Sequence, residues 1–235
     1  MIRTRTDGDV RVVTLDRPEA RNALRPADLT ALREAFEPPA AGPRAPVTYL
    51  RGAGDAFCAG ADLDAVAALD DPETFARRGQ RVAAAIEDSP SAVVCGVDGP
   101  ARGGGVELAL AADVRVATPR ATFAEPGVSL GLFGAWGGTV RLPRVMGEGE
   151  ALDVALSGRV LDAEAALRTG LVSRVVDDPR SVADEIAAGE ADALAAIKRR
   201  LRDRRDDGAQ ERAEAAAFAD LHDAHADEIA RQRER

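Results

Sequence analysis

Two glycine-rich stretches constrain this chain more than any other feature. Gly52–Leu63 (GAGDAFCAGADL) follows the short apolar run Val47–Leu50, and Gly99–Gly105 (GPARGGG) follows Ala92–Val97 and opens into the apolar stretch Val106–Ala112. A short apolar run bounded by turn residues reads as a buried strand. Strand, glycine loop and helix therefore recur in series, and a third strand candidate, Val114–Ala117, precedes Phe123–Gly138. The pattern is that of an α/β protein, as in stacked ββα turns, although its repeat is too loose for a sequence solenoid. Neither loop carries a nucleotide signature. Phe57 stands where a dinucleotide fingerprint needs its third glycine, and no GK[ST] occurs.

Small residues let a ligand approach the backbone itself. Gly103-Gly104-Gly105 sits at the mouth of a helix, where unpaired N–H groups and the positive end of the dipole make a ready site for an anion. Aromatics are 3% of the 235 residues and hydrophobics 46%, so the core must be packed from small aliphatics. A net charge of -9 argues against a general nucleic-acid or anionic-membrane binder, because phosphate contacts need clustered cations. No run approaches the ~18 apolar residues of a membrane span. Cys58 and Cys95 lack CxxC spacing, and MIRTRTDGDV lacks the apolar stretch of a signal peptide, which points to a reducing cytoplasm.

The remaining pattern predicts a hairpin from Ile2–Thr6 and Val10–Leu15 around Asp7-Gly8. Helical spacing marks Pro26–Phe36, Phe75–Glu87, Ala151–Leu156 and Ala163–Thr169. From Ser181 the chain turns rich in Ala, Glu, Asp and Arg and reads as an appended helical region.

Four ordered motifs, RPEARNAL (Arg17–Leu24), GAGDAFCAGADL (Gly52–Leu63), GPARGGGVELALAADVRVA (Gly99–Ala117) and GAWGGTVRLPR (Gly134–Arg144), resemble the crotonase (enoyl-CoA hydratase/isomerase) superfamily over nearly all of residues 10–180. The resemblance implies a crotonase-type spiral of ββα turns over residues 1–180, with the acyl-CoA site. It also implies a helical C-terminal region, 181–235, for oligomerisation as a homotrimer or a dimer of trimers. A coenzyme A thioester is the implied substrate, with no cofactor or metal. The N–H groups of Ala61 and Gly104 would form an oxyanion hole, and preorganised donors of that kind contribute ~3–4 kcal/mol apiece. Glu107, in the first turn after the triple glycine, would be the catalytic base. Arg21 and the segment Ala59-Gly60-Ala61 would line the CoA moiety. Leu63 and Val66 belong to the expected acyl pocket, and Phe133 and Trp136 either line it or pack the core. Gln232 and Arg235 stand roughly where relatives place further CoA contacts.

The chain departs from the hydratase pattern at one point. A second glutamate, expected in a GQPE-like stretch, falls without gaps on Gly127 of Phe123-Ala-Glu-Pro-Gly-Val128, leaving Glu125, two residues earlier, as a possible proton partner. The leading expectation is an enoyl-CoA hydratase-like lyase with one retained glutamate. Decarboxylation, retro-aldol cleavage, thioester or C–C hydrolysis, and an inert acyl-CoA-binding subunit stand as alternatives. Cys58 reads as packing, and His222 and His225 as an exposed helix face. The basic run Lys198–Arg205 reads as a solvated helix, then as a CoA-phosphate contact, then as an RNA contact.

Overall fold

The computed structural model describes residues 1–37 and 45–233, and Arg235 and the side chain of Gln232 lie outside what is described. Strands β1 (Ile2–Asp7) and β2 (Val10–Leu15) form the expected hairpin, turning at Gly8 with φ 59. Next to β2 run β3 (Val47–Gly52), β4 (Ala92–Val97), β6 (Val114–Ala117) and β9 (Arg174–Val175), each parallel to its neighbour. The sheet order is β1-β2-β3-β4-β6-β9. A second sheet holds β5 (Pro100–Arg102), β7 (Thr122–Ala124) and β8 (Leu161–Asp162).

Successive turns of the chain feed both sheets. One turn lays down β4, then β5, then helix α4 (Gly104–Ala111), and the next lays down β6 and β7 before α5 (Gly138–Met146). The turn of β3 joins the second sheet through a single bridge, Cys58 to Ala101. This is the ββα spiral that the motifs implied. Helix α1 (Pro26–Phe36) packs on α3 (Pro72–Glu87), and α2 (Leu63–Ala67) and α3 flank the site, with Asp62 and Asp71 capping α2 and α3. Further on come α6 (Glu148–Ser157) and α7 (Ala163–Arg168).

Three expectations are corrected. Gly99–Gly105 is not merely a turn, because it contains β5. Helix α5 was not anticipated, its start being glycine-rich and Pro143 lying inside it. The boundary expected between residues 180 and 181 falls inside α8 (Pro179–Ala187), whose Val182 and Ala183 pack with Val10, Val47, Tyr49, Val94 and Val116 against the sheet. Beyond α9 (Ala191–Leu201), α10 (Asp207–Arg233) runs for 27 residues, contacts mainly α9, and leaves Phe218 71% exposed. No described helix is long and apolar enough to cross a membrane.

Candidate active site

The first glycine loop is held from behind by a residue that motif reading left without a role. Asn22 is buried in the left-handed region, φ 59, a conformation asparagine tolerates better than most residues. Its Nδ2 donates to the carbonyls of Ala53, Ala56 and Phe57, and its Oδ1 accepts from the Arg17 N–H. Arg17 Nη1 also donates to Asp62, the cap of α2, at 2.5 Å. RPEARNAL is thus a clasp for the loop. Arg21 contributes through its carbonyl, which accepts from Ala59 N–H, while its side chain is exposed and does not line the cavity.

The two loops are laced together by main chain. Pro100 O accepts from Phe57 and Cys58 N–H, and Cys58 O accepts from Arg102 N–H. Gly60, at φ 86, lets its backbone pass so close that a Cβ there would lie 3.0 Å from Gly104 N. Among the described residues neither Ala61 N–H nor Gly104 N–H has an acceptor, and both residues line the same cavity. Gly104 is also the first residue of α4, so its donor adds to the positive end of that helix. A side chain at 104 would find no free space. Its Cβ would run into the indole of Trp136, 2.2 Å away.

The cavity has a volume of about 270 Å³, and Ala59, Gly60, Ala61, Leu63, Val66, Gly104, Glu107, Glu125, Phe133 and Trp136 all line it. Phe133 (72% exposed) and Leu63 stand at the mouth, whereas Trp136 is buried.

Glu107 and Glu125, the expected base and its possible proton partner, are both buried here. Each approaches the point where a Cβ on Gly134 would stand, Glu107 Oε1 to 3.1 Å and Glu125 Oε2 to 3.0 Å. Those two oxygens are therefore no farther apart than the sum of the approaches, 6.1 Å. The absence of a side chain at Gly134 is what lets both carboxyl groups face one space. Glu107 Oε1 accepts two backbone N–H groups, from Trp136 and Gly138, each at 2.7 Å. The GAWGG motif thus supplies the donors for Glu107, a role not read from its spacing. Neither oxygen of Glu125 has a partner among the described residues.

Burial raises the Glu107 pKa to about 7, against the lowering pull of its two N–H donors. Glu125 is pushed up to about 8, by burial first and by the charge of Glu107 second. Near neutrality the donors favour charge on Glu107 and a proton on Glu125, the division that an acid–base pair needs.

A family model described as enoyl-CoA hydratase/isomerase matches residues 5–232. This chain belongs to that family. A probable enoyl-CoA hydratase of Mycobacterium tuberculosis is 40% identical over 187 residues, covering 79% of this chain and 73% of the relative. A crotonyl-CoA hydratase of Syntrophomonas wolfei is 37% identical over 178 residues, covering 74% and 68%. The crystal structure of an enoyl-CoA hydratase from Thermoplasma volcanium superimposes with a TM-score of 0.86 at 31% identity, covering 96% of each chain.

Other candidates fall into structural places on this enoyl-CoA hydratase/isomerase fold. Cys58 is fully buried, its thiol pushed up to about 12 by burial, and its Sγ–H donates to Asn22 O. In the basic run, Lys198 and Arg202 pair with Asp113, and they donate to carbonyls at the C-terminal ends of α3 and α4, Ile86 O and Ala111 O. Cations there answer the negative ends of two helices, and none of Lys198–Arg205 lines the acyl cavity. His222 is exposed as expected, but His225 is half-buried and reaches Asp192 on α9 at 2.9 Å.

Proposed function

We propose that this protein adds water to the double bond of an enoyl-CoA thioester, with Glu107 and Glu125 dividing the proton work. The observation that carries the reading is that two carboxyl groups of unlike hydrogen bonding share one apolar cavity with two unpaired backbone N–H groups. In the forward reaction the Glu107 carboxylate takes a proton from water as the water oxygen bonds to the β-carbon. The C=C electron pair shifts to join the α-carbon to the carbonyl carbon as an enolate, and the C=O π pair moves onto the thioester oxygen, where the Ala61 and Gly104 N–H groups meet it. Glu125 then gives its proton to the α-carbon as the carbonyl re-forms. One proton has moved from Glu125 to product and one from water to Glu107, and its return across the gap of at most 6.1 Å resets the pair.

Glu125 thus occupies the working position that the pattern assigns to Gly127. Relatives named as hydratases support this reading over the other crotonase reactions. So does the lining: its only charged side chains are the two glutamates, so the carboxylate of a malonyl-type acyl group would meet like charge without a cation. An acid–base addition of this kind draws on the CoA thioester alone, without a further cofactor. Steady-state assay of crotonyl-, 3-hydroxybutyryl- and malonyl-CoA tests it, and turnover of malonyl-CoA alone would overturn it. The exposed apolar positions of α9 and α10, Ile197, Leu201 and Phe218, support a homotrimer or a dimer of trimers. Two buried, unpaired cysteines agree with the cytoplasm.

A further inference from the structure

We propose that Trp136 is a plug that closes the acyl cavity between α3 and α4, and that it thereby sets which enoyl chain the site accepts; this inference rests on the acyl-CoA reading above. The indole is 3% exposed and lies where two side chains are missing. A Cβ on Gly104 would meet its six-membered ring at 2.2 Å, and a Cβ on Gly79 would meet its five-membered ring at 2.1 Å. Gly79 lies in the interior of α3, where glycine destabilises a helix relative to alanine. The room it gives the indole is a physical reason for its presence there. Phe75, one turn before Gly79, locks the ring edge-on, with centroids 5.8 Å apart and planes at 67°.

The plug also stands beside the chemistry. The backbone N–H of Trp136 holds Glu107 Oε1, and its ring covers the helix start that carries the Gly104 donor. A chain growing from the reacting carbons therefore has no way inward between the two helices. It must fit what remains, a space of about 270 Å³. Its walls are Val66, Leu69 and Phe75, with Leu63, Leu130 and Phe133 exposed at the lip. The substrate class is a short to medium unbranched hydrocarbon acyl group; the end of a longer chain would leave over the lip into water.

Trp136 is the chain's one tryptophan, so its emission reads the plug directly. Butyryl- and octanoyl-CoA, which are saturated and cannot be hydrated, should change that emission, and free CoA should not. Trp136→Leu should raise the ratio of kcat/KM for hexadecenoyl-CoA over crotonyl-CoA by about tenfold or more, the range that a few methylene contacts supply. Trp136→Phe should move it less, and it carries the same comparison if the leucine variant does not fold. An unchanged ratio in a folded variant, or equal emission changes with free CoA and octanoyl-CoA, overturns the proposal. If the parent hydrates no enoyl-CoA, the hydratase reading fails by itself. The plug is then decided by calorimetric Kd values of hexadecanoyl- relative to butyryl-CoA, which should shift toward the long chain in Trp136→Leu and which overturn the plug if they do not.

Discussion

Glu107 receives two backbone N–H groups, while Glu125, at most 6.1 Å away between nearest-approach oxygens, receives none among the described residues. The two carboxyl groups differ in what surrounds them, and their protonation follows from it. Only the form with Glu107 ionised and Glu125 protonated can take a proton from water and give one to carbon. Because burial raises both carboxyl groups, to about 7 for Glu107 and about 8 for Glu125, kcat/KM for crotonyl-CoA should follow a bell centred near neutrality, well above the ordinary glutamate range, whose two limbs belong to the pair.

Removing either group tests the division. Glu107→Gln and Glu125→Gln should each lower kcat by about a hundredfold or more, the range of a lost general acid or base. The acid limb of the bell should disappear in the first variant and the alkaline limb in the second. A Glu125→Gln enzyme with parental kcat would remove Glu125 from the mechanism.

The same burial has a consequence for stability. Both folded-state pKa values lie above the ordinary glutamate value of 4.5, so between that pH and about 8 the folded protein holds more protons than the unfolded chain. Stability must then fall as pH rises through this window. Glu125→Gln removes one ionisation that works against folding. Its melting temperature should exceed the parent's by a margin that grows from pH 5 to pH 8, read by calorimetry.

Asn22 is the residue whose loss should damage the site without touching substrate. Asn22→Ala strands three carbonyls behind the first glycine loop and puts alanine in a left-handed conformation. About 2–3 kcal/mol of stability should disappear in urea unfolding, together with most of the turnover, since Ala61 sits at the end of the loop it clasps.

Gly104→Ala should abolish more activity than one methyl group suggests, because its Cβ must displace the Trp136 indole, and with it the donor that Trp136 gives to Glu107. A fall of about a hundredfold is expected, as for a lost oxyanion donor. Partial recovery in the Gly104→Ala/Trp136→Leu double variant would confirm the route.

Deletion of the chain after Gly208 removes most of α10, including the exposed Phe218. Light scattering should then report a smaller assembly than for the full chain. A mass per particle that stays in the same oligomeric class would exclude α10 as a subunit contact.

Much of this arrangement was legible in the sequence. The hairpin, the parallel strands at 47, 92 and 114, and Glu107 behind three glycines all follow from local pattern, because apolar runs and glycine at a helix mouth have direct physical meanings. Strands of two or three residues such as β5 and β8 are too short to show any periodicity. Glu125 was read only as a possible proton partner for a different reason. Counting positions places Gly127 at the expected site, but the direction of a side chain leaving a loop is decided by the 3-10 turn that starts at Pro126, and spacing does not record it. The role of Asn22 was masked because its partners lie more than 30 residues away.

The bridge between Cys58 and Ala101 fixes one further property of the site. Ala61 and Gly104 belong to neighbouring turns of the spiral, laced by parallel main-chain pairing, so the approach of the two loops is set by backbone rather than by side chains. Substitutions can redraw the acyl walls while the backbone keeps the two loops laced.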